Sequence, residues 1–359
     1  MALVYVDGFD TYQTADIAMR WTSINGTPVI EAGGRTSNRM TFYASEGVDL
    51  GVSSLTTYLV GVAVKVSVLP DTVGPTLILF SSTSSSECAL VLTSAGALAV
   101  YRCANTSNAG NNVGFGSVKL DDTDGGIISA NVWYYIEMMV TLSNTAATWE
   151  VRVNGVPVMT ETGSGGYDNV VTEATIKRIG VGQAVGGSAG LYTYIDDLYI
   201  CDTSGSVNNT FLGDVTVEAI FPNADGSSSQ FTGSDTDQIN NYQLVDESTS
   251  DYPNTDDYVY SSTVSNKDLY NFASMGPSSA TIHGVQVNIC AKKSDTGTRT
   301  YKSVAKLSGG SATDGDVAFA PSDTSWAYGC DVWETTPGTS NAWTVSDVNG
   351  AEFGVKVES

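Results

Sequence analysis

Valines at positions 60, 62, 64, 66 and 68, one at every second residue between Tyr58 and Leu69, constrain this chain more than any other feature. Side chains alternate sides along an extended backbone, so this spacing lines branched apolar groups along one face of a strand. A helix would scatter them around its circumference. Lys65 interrupts the run, which is also too short to cross a bilayer. The same period returns between Val132 and Val158. Tyr134, Ile136, Met138, Val140 and Leu142 share a face with Val132, while Glu137 and Thr141 lie opposite. Trp149, Val151 and Val153 then alternate with Glu150 and Arg152, and Asn154-Gly155 supplies the tight turn that positive φ angles require.

Further strands are predicted at Leu3–Phe9, Arg39–Tyr43, Thr76–Phe80, Ile176–Val181 and Tyr194–Cys201, with a helical turn at Asp16–Trp21. Within the last strand Tyr194, Asp196, Leu198 and Ile200 are expected on one side, and Ile195, Asp197, Tyr199 and Cys201 on the other. A Ser/Gly/Asn crossing from Thr203 to Asn209 follows, and Val215–Ile220 opens new strands. With 359 residues the chain can hold two domains, set here at 1–213 and 214–359. In the second, strands are predicted at 257–264, 267–272, 281–292, 299–307, 316–319, 326–333 and 352–357, with a loop from Asn223 to Ile239. Short strands, many Gly and Ser turns and almost no helix give an all-β chain, an antiparallel sandwich followed by a second one. No heptad, collagen or β-helical period marks a self-trimerising shaft.

Sixteen Lys and Arg against 39 Asp and Glu leave a formal charge of −23. Such a surface repels phosphate backbones and anionic lipid, which excludes nucleic acid and membrane insertion as partners. The acidity is either a solvated, self-repelling surface or a source of divalent-cation ligands. Met1–Asp7 carries no basic region and too short an apolar run for a signal peptide. Five cysteines without a CxxC pair fit neither a disulfide framework nor a zinc site. A symmetric hairpin about Ser94–Ala97 would set Cys88 opposite Cys103, as reduced neighbours in a reducing cytosol or as a bridge.

Asp7-Gly8-Phe9-Asp10, Trp133-Tyr134, Trp149–Gly155, and Phe211-Leu212-Gly213-Asp214 followed by Pro222–Gly226 together resemble a family of tailed-bacteriophage virion proteins. In that family a laminin-G or concanavalin-A-like jelly roll precedes a second β-sandwich. The ending, from Trp343 through Asp347-Val348-Asn349-Gly350 to Val357, is similar to the closing hairpin of small β-sandwiches on phage and bacterial surface proteins. The resemblance implies a non-enzymatic structural protein of the virion, in tail, collar or capsid decoration, assembled in the host bacterial cytoplasm. Its partners would be other virion proteins and copies of itself. The alternative is a host-recognition protein that binds cell-surface glycan through the jelly roll or the C-terminal sandwich.

Related jelly-roll hydrolases place their carboxyls on one strand as Glu-x-Asp-x-x-Glu, and retaining hydrolysis needs two of them about 5 Å apart. No such run occurs here, and Asp196 and Asp197 are expected on opposite faces. One histidine, His283, excludes a multi-histidine zinc site. Gly180-Val181-Gly182 and Gly186-Gly187 lack the helix and lysine of a phosphate loop. These absences make the chain a non-enzyme and leave no cofactor except a structural Ca²⁺. For that ion the resemblance brings Asp7, on the first strand, beside Asp196, on the last, two of the six to eight oxygens it takes. For glycan stacking the candidates are Trp326, Trp333, Trp343, Tyr258 and Tyr260, with Tyr252 beside them; aromatics at alternate strand positions equally serve as core.

Overall fold

A computed structural model describes residues 2–43, 46–71, 74–104, 118–183, 190–247, 256–321 and 325–359. The chain is all-β and antiparallel, and it divides into two compact units. The first comprises Met1–Asp10 and Arg20–Val217, the second Thr11–Met19 and Glu218–Ser359.

The first unit is a jelly-roll sandwich of two sheets. One runs, edge to edge, through Val156–Thr162, Thr148–Val153, Tyr134–Thr141, Thr57–Val66, Tyr192–Cys201, Asn38–Tyr43 and Val29–Ala32, with Leu3–Asp7 also paired to Tyr192–Cys201. The other runs through Val118–Asp122, Leu98–Arg102, Ser86–Leu92, Thr76–Ser81, Ile176–Gln183, Gly47–Leu55 and Ser23–Asn25. Val60, Val62, Val64 and Val66 are buried together, and Ile136, Met138 and Val140 beside them. Val68 lies past the end of its strand and is exposed. Burying such a row drives sheet against sheet at about 25 cal/mol per Å² of apolar surface. The Asn154-Gly155 turn has φ of 50° and 78°, as its residue types require.

Three strand expectations need correction. The hairpin between Ser86–Leu92 and Leu98–Arg102 pairs Leu92 with Leu98 and Cys88 with Arg102. Thr93 N–H donates to Ala97 O at 2.9 Å and Gly96 takes φ 76°, a three-residue loop one residue shorter than the symmetric turn. A slip of one reverses every face. Cys103 N–H therefore meets Glu87 O, and its side chain clusters with Leu79, Ala89 and Val91. None of the five cysteines forms a disulfide. Burial pushes Cys88 up to about 12 and raises Cys103 well above the ordinary thiol value. Cys88, Cys103 and Cys201 are buried, so native protein should react quickly with a thiol reagent at no more than the two half-buried cysteines, 290 and 330. A count of five fast thiols before denaturation would contradict this packing.

The second correction lies in Tyr192–Cys201. Asp197 takes φ 49° and the register slips between Asp196 and Tyr199, which face Ala63 and Gly61 of the neighbouring strand. This bulge resets the alternation, so Tyr194, Asp196 and Tyr199 share a face. Tyr199 packs on Gly61, where a Cβ would lie 2.1 Å from its ring. Third, Gly47–Leu55 and Val29–Ala32 are strands that the sequence reading passed over, although Val48, Leu50 and Val52 alternate in the first and Gly33-Gly34 closes the second.

The second unit holds a five-stranded sheet, Pro222–Ser229, Lys267–Phe272, Glu352–Val357, Tyr301–Lys306 and Thr313–Asp314 in that order. Two pairs accompany it, Thr232–Gly233 with Val259–Tyr260, and Val285–Ala291 with Ala327–Trp333. Pro222–Ser229 falls in the expected loop. Its pairing with Lys267–Phe272 slips twice, which is how so polar a segment keeps backbone partners. Asp316–Phe319 makes only an isolated bridge, Tyr301 to Phe319. The expected closing hairpin is instead a helix, Val345–Gly350, entering the Glu352–Val357 strand. Thr344 caps it, its hydroxyl accepting from Asp347 N–H while Asp347 reaches back to Thr344 N–H at 3.0 Å. Phe353, Trp343, Val348, Ala351 and Ala305 form the core beneath.

Candidate functional site

Across the outer face of the Tyr192–Cys201 sheet, cross-strand pairing assembles an aromatic surface that no single stretch of sequence contains. Tyr43 is directly opposite Tyr192, and Tyr194 stands between Thr41 on one side and Lys65 on the other. Tyr43 and Tyr192 have ring centroids 5.0 Å apart; Tyr192 and Tyr194 are 6.3 Å apart with planes within 6°. Tyr43 is 46% exposed and Tyr192 40%, so these rings have open faces. Trp133, just before Tyr134–Thr141, completes the row, with Lys65 Nζ 4.7 Å from its ring centroid and 5.1 Å from that of Tyr194.

Two cations are built into this row. The Arg39 guanidinium stacks 3.8 Å from the Tyr194 centroid, and it is held by Glu31 Oε1 and Gly33 O, each at 3.0 Å. Glu31 also accepts from the Thr41 hydroxyl at 2.7 Å, and this bond, ahead of Arg39, keeps its carboxyl below the ordinary range. Lys65 has no carboxylate partner among the described residues. Partial burial, and next the charge of Arg39, lower its pKa. An ammonium over two aromatic faces is attracted by their quadrupoles, worth about 0.5–1 kcal/mol at an exposed site. The surface offers flat apolar rings beside fixed positive charge.

Further along the same face the sheet is covered by its own chain. Glu137 is fully buried, with its Oε1 accepting from Tyr199 OH at 2.5 Å and from Gly213 N–H at 2.9 Å. Tyr199 OH also accepts from Leu212 N–H at 3.2 Å, and the Arg152 guanidinium lies 3.9 Å from the Phe211 centroid. Phe211–Asp214 thus straps the sheet over Glu137. Burial and the neighbouring Glu137 raise the Tyr199 phenol.

At the end of the strap, acids gather round Arg35. Its Nη1 lies 3.1 Å from Asp197 Oδ2 and donates to Val215 O at 3.1 Å, while Nη2 donates to Asp214 at 2.7 Å. Asp196 accepts from Arg35 N–H at 2.6 Å and from Asp197 N–H at 2.8 Å; Asp197 accepts from Val217 N–H at 2.7 Å. The bulge therefore gathers at Arg35 two carboxylates that strict alternation would send apart. Burial, and then the charge of Asp197, push Asp196 up to about 7; burial pushes Asp197 up to about 6. Both are buried, at 1% and 0% exposure, so no substrate reaches them from solvent.

Asp7 and Asp196 do not make a calcium shell. The Asp7 oxygens accept from Tyr5 OH and Phe9 N–H, each at 2.8 Å, and Asp196 is bonded as above. With oxygens of both turned to N–H and O–H donors, the pair supplies too little of a shell that takes six or more of them. Among the described residues no three His, Cys, Asp or Glu side chains form a metal-holding group.

The sequence-derived aromatic candidates are placed differently. Trp343 is 3% exposed and donates to Trp333 O at 2.8 Å, so it has no free face for a sugar; Trp333 packs on the same core. Trp326 is half-buried with Lys292 Nζ 4.7 Å from its ring centroid. Tyr258 and Tyr260 are exposed, 6.2 Å apart. Tyr252 and Gly186-Gly187 lie outside the described residues. The Tyr43–Tyr192–Tyr194–Trp133 row escaped sequence reading, and its one local signal is Tyr192-x-Tyr194 at alternate positions.

No protein-family model matches the chain, and neither does any curated protein. Similar solved structures include a sialidase, at TM-score 0.39 and 13% identity over 56% of this chain and 19% of that one. Cellulose induced protein, Cip1, has TM-score 0.36 and 14% identity over 58% and 93% of the two chains. Domain 4 of AbnA, a GH43 extracellular arabinanase from Geobacillus stearothermophilus, in complex with arabinotriose, has TM-score 0.33 and 16% identity over 56% and 92%. The chain spans about a fifth of the sialidase's length. These likenesses carry no functional weight, and the chain stands on its own geometry.

Proposed function

We propose that this is a non-catalytic carbohydrate-binding protein whose ligand lies on the Tyr43–Tyr192–Tyr194–Trp133 row. The observation that carries this reading is the exposed ring of Tyr192, nearly parallel to the half-buried Tyr194 and flanked by exposed Tyr43 on the neighbouring strand. Sugar rings offer apolar C–H faces, and flat aromatic surfaces bordered by polar groups are what such faces stack on. The absence of catalysis belongs to the same proposal: the raised carboxyls Asp196 and Asp197 are sealed from solvent. In the virion setting that the sequence resemblance implies, the ligand is a cell-surface glycan of the host bacterium. The structural role there, through contacts with other virion proteins and with copies of itself, is part of this proposal.

A glycan array followed by titration of the hits tests it. Wild-type protein should bind at least one saccharide, and Tyr192→Ala or Tyr194→Ala should weaken that binding about 10-fold or more, the loss expected of a central aromatic contact. Trp326→Ala should leave it unchanged. Binding that survives both tyrosine substitutions would move the site elsewhere, and a blank array would remove the function.

A further inference from the structure

The same row carries a second message in its charges. A chain with 39 acidic residues and 16 basic ones has carboxylates to spare for every ammonium. Lys65 nevertheless projects from mid-sheet between Trp133 and Tyr194 with no carboxylate opposite it among the described residues. Its cross-strand neighbour on the row is Tyr194, and beyond that Thr41, whose hydroxyl is turned to Glu31. Glu31 in turn pairs with Arg39, not with Lys65. Arg39 is therefore locked over Tyr194 while Lys65 is left with its hydrogen-bonding capacity directed at whatever lies on the rings.

A neutral sugar has no use for that ammonium, and half-burial beside a guanidinium opposes the charged form of the lysine. A ligand carboxylate would relieve this. We propose, resting on the carbohydrate-binding reading above, that the row selects sugars bearing a carboxylate, uronic or nonulosonic acids, with Lys65 as the carboxylate-recognising residue and Tyr192 and Tyr43 stacking the ring. Charge complementarity singles out this class. The net charge of −23 repels an anionic polymer from the molecule at large, so such a ligand is held only where cations are concentrated. Arg39 assists through its field and through the fixed plane of Tyr194, which makes it a positioning residue.

The test compares full-length protein binding to oligogalacturonate and to sialyllactose, each against its carboxyl-reduced neutral counterpart, by calorimetric titration at low and physiological salt. The two acidic arms distinguish a uronate from a nonulosonate source. At least one acidic ligand should bind about 10-fold or more tightly than its reduced form, the effect of one charge-assisted hydrogen bond. Lys65→Gln should abolish that preference, Lys65→Arg should restore it, and higher salt should shrink it. Circular dichroism of each variant confirms that the sheet is intact. Equal affinity for acidic and reduced ligands overturns the acid-sugar inference and leaves the carbohydrate reading standing, as does a preference that survives Lys65→Gln. If no saccharide binds, neutral or acidic, both fall together.

Discussion

Glu87→Ala should destabilise the first unit by about 3–5 kcal/mol, as much as truncating a large core aromatic. Its carboxylate is wholly buried in the Ser86–Leu92 strand, and the chain from 171 to 173 is wrapped around it. Val171 N–H donates at 2.5 Å, Thr172 N–H at 3.1 Å and Glu173 N–H at 3.3 Å; the hydroxyls of Thr172 and Ser85 add bonds of 2.9 and 3.3 Å. Removing the side chain leaves three backbone donors without their acceptor, at roughly 1–3 kcal/mol for each that stays buried. Glu87→Gln keeps the shape but turns an NH₂ toward donors, so it should cost about 2 kcal/mol. Equilibrium urea unfolding with tryptophan fluorescence would show this as a lower midpoint at unchanged slope. A loss below about 1 kcal/mol for Glu87→Ala would mean that water replaces the carboxylate, and the wrap is then loose.

Stability should fall by on the order of 3–4 kcal/mol between pH 5 and pH 8, because of Asp196 and Asp197. Both sit near 3.8 when unfolded; folded, they are raised to about 7 and about 6. Between those limits the native state holds protons that the unfolded chain has released. The contribution is therefore full below the unfolded value and is lost as pH rises through the folded ones. Burial is the main cause for each. The mutual charge adds for Asp196, while the Val217 N–H bond and Arg35 restrain Asp197. His283 works the other way: burial lowers its pKa, so its contribution grows as pH rises. Asp196→Asn separates them, since the amide cannot take up the proton and its profile over this range should be flatter than that of the wild type. Thermal melts at half-unit pH intervals suffice. A wild-type profile that is flat, or that rises toward pH 8, would show that the pair is ionised without penalty.

Much of the fold was legible because its strands announce themselves. The alternate valines of Thr57–Val66 and the Trp149–Val153 alternation have a physical cause that acts on each residue, burial of one face, and burial leaves a two-residue period in the sequence. Register leaves no such trace. Whether Leu92 meets Leu98 or Ala99 depends on a single loop residue, Gly96, and the fate of Cys88 and Cys103 depends on that. The bulge at Asp197 is equally silent, yet it decides which acids meet Arg35. The Val345–Gly350 helix had a readable signal in Thr344-x-x-Asp347, overshadowed by the turn residues that follow. The aromatic row was hidden for another reason. Tyr43, Lys65, Trp133 and Tyr194 belong to separate stretches, and only strand order brings them together. Aromatics crowded in sequence, such as Trp333 and Trp343, proved to be crowded because they fill one core.

The assignment of Thr11–Met19 to the second unit has a consequence for how such a gene can be rearranged. No single crossover separates the two halves intact: a break after Val217 transfers the second unit without its N-terminal piece and leaves that piece stranded in the first. Recombination that exchanges whole modules would thus be penalised at this junction. Replacement of the later half by an unrelated sandwich should require a compensating change in the nine residues between Asp10 and Arg20.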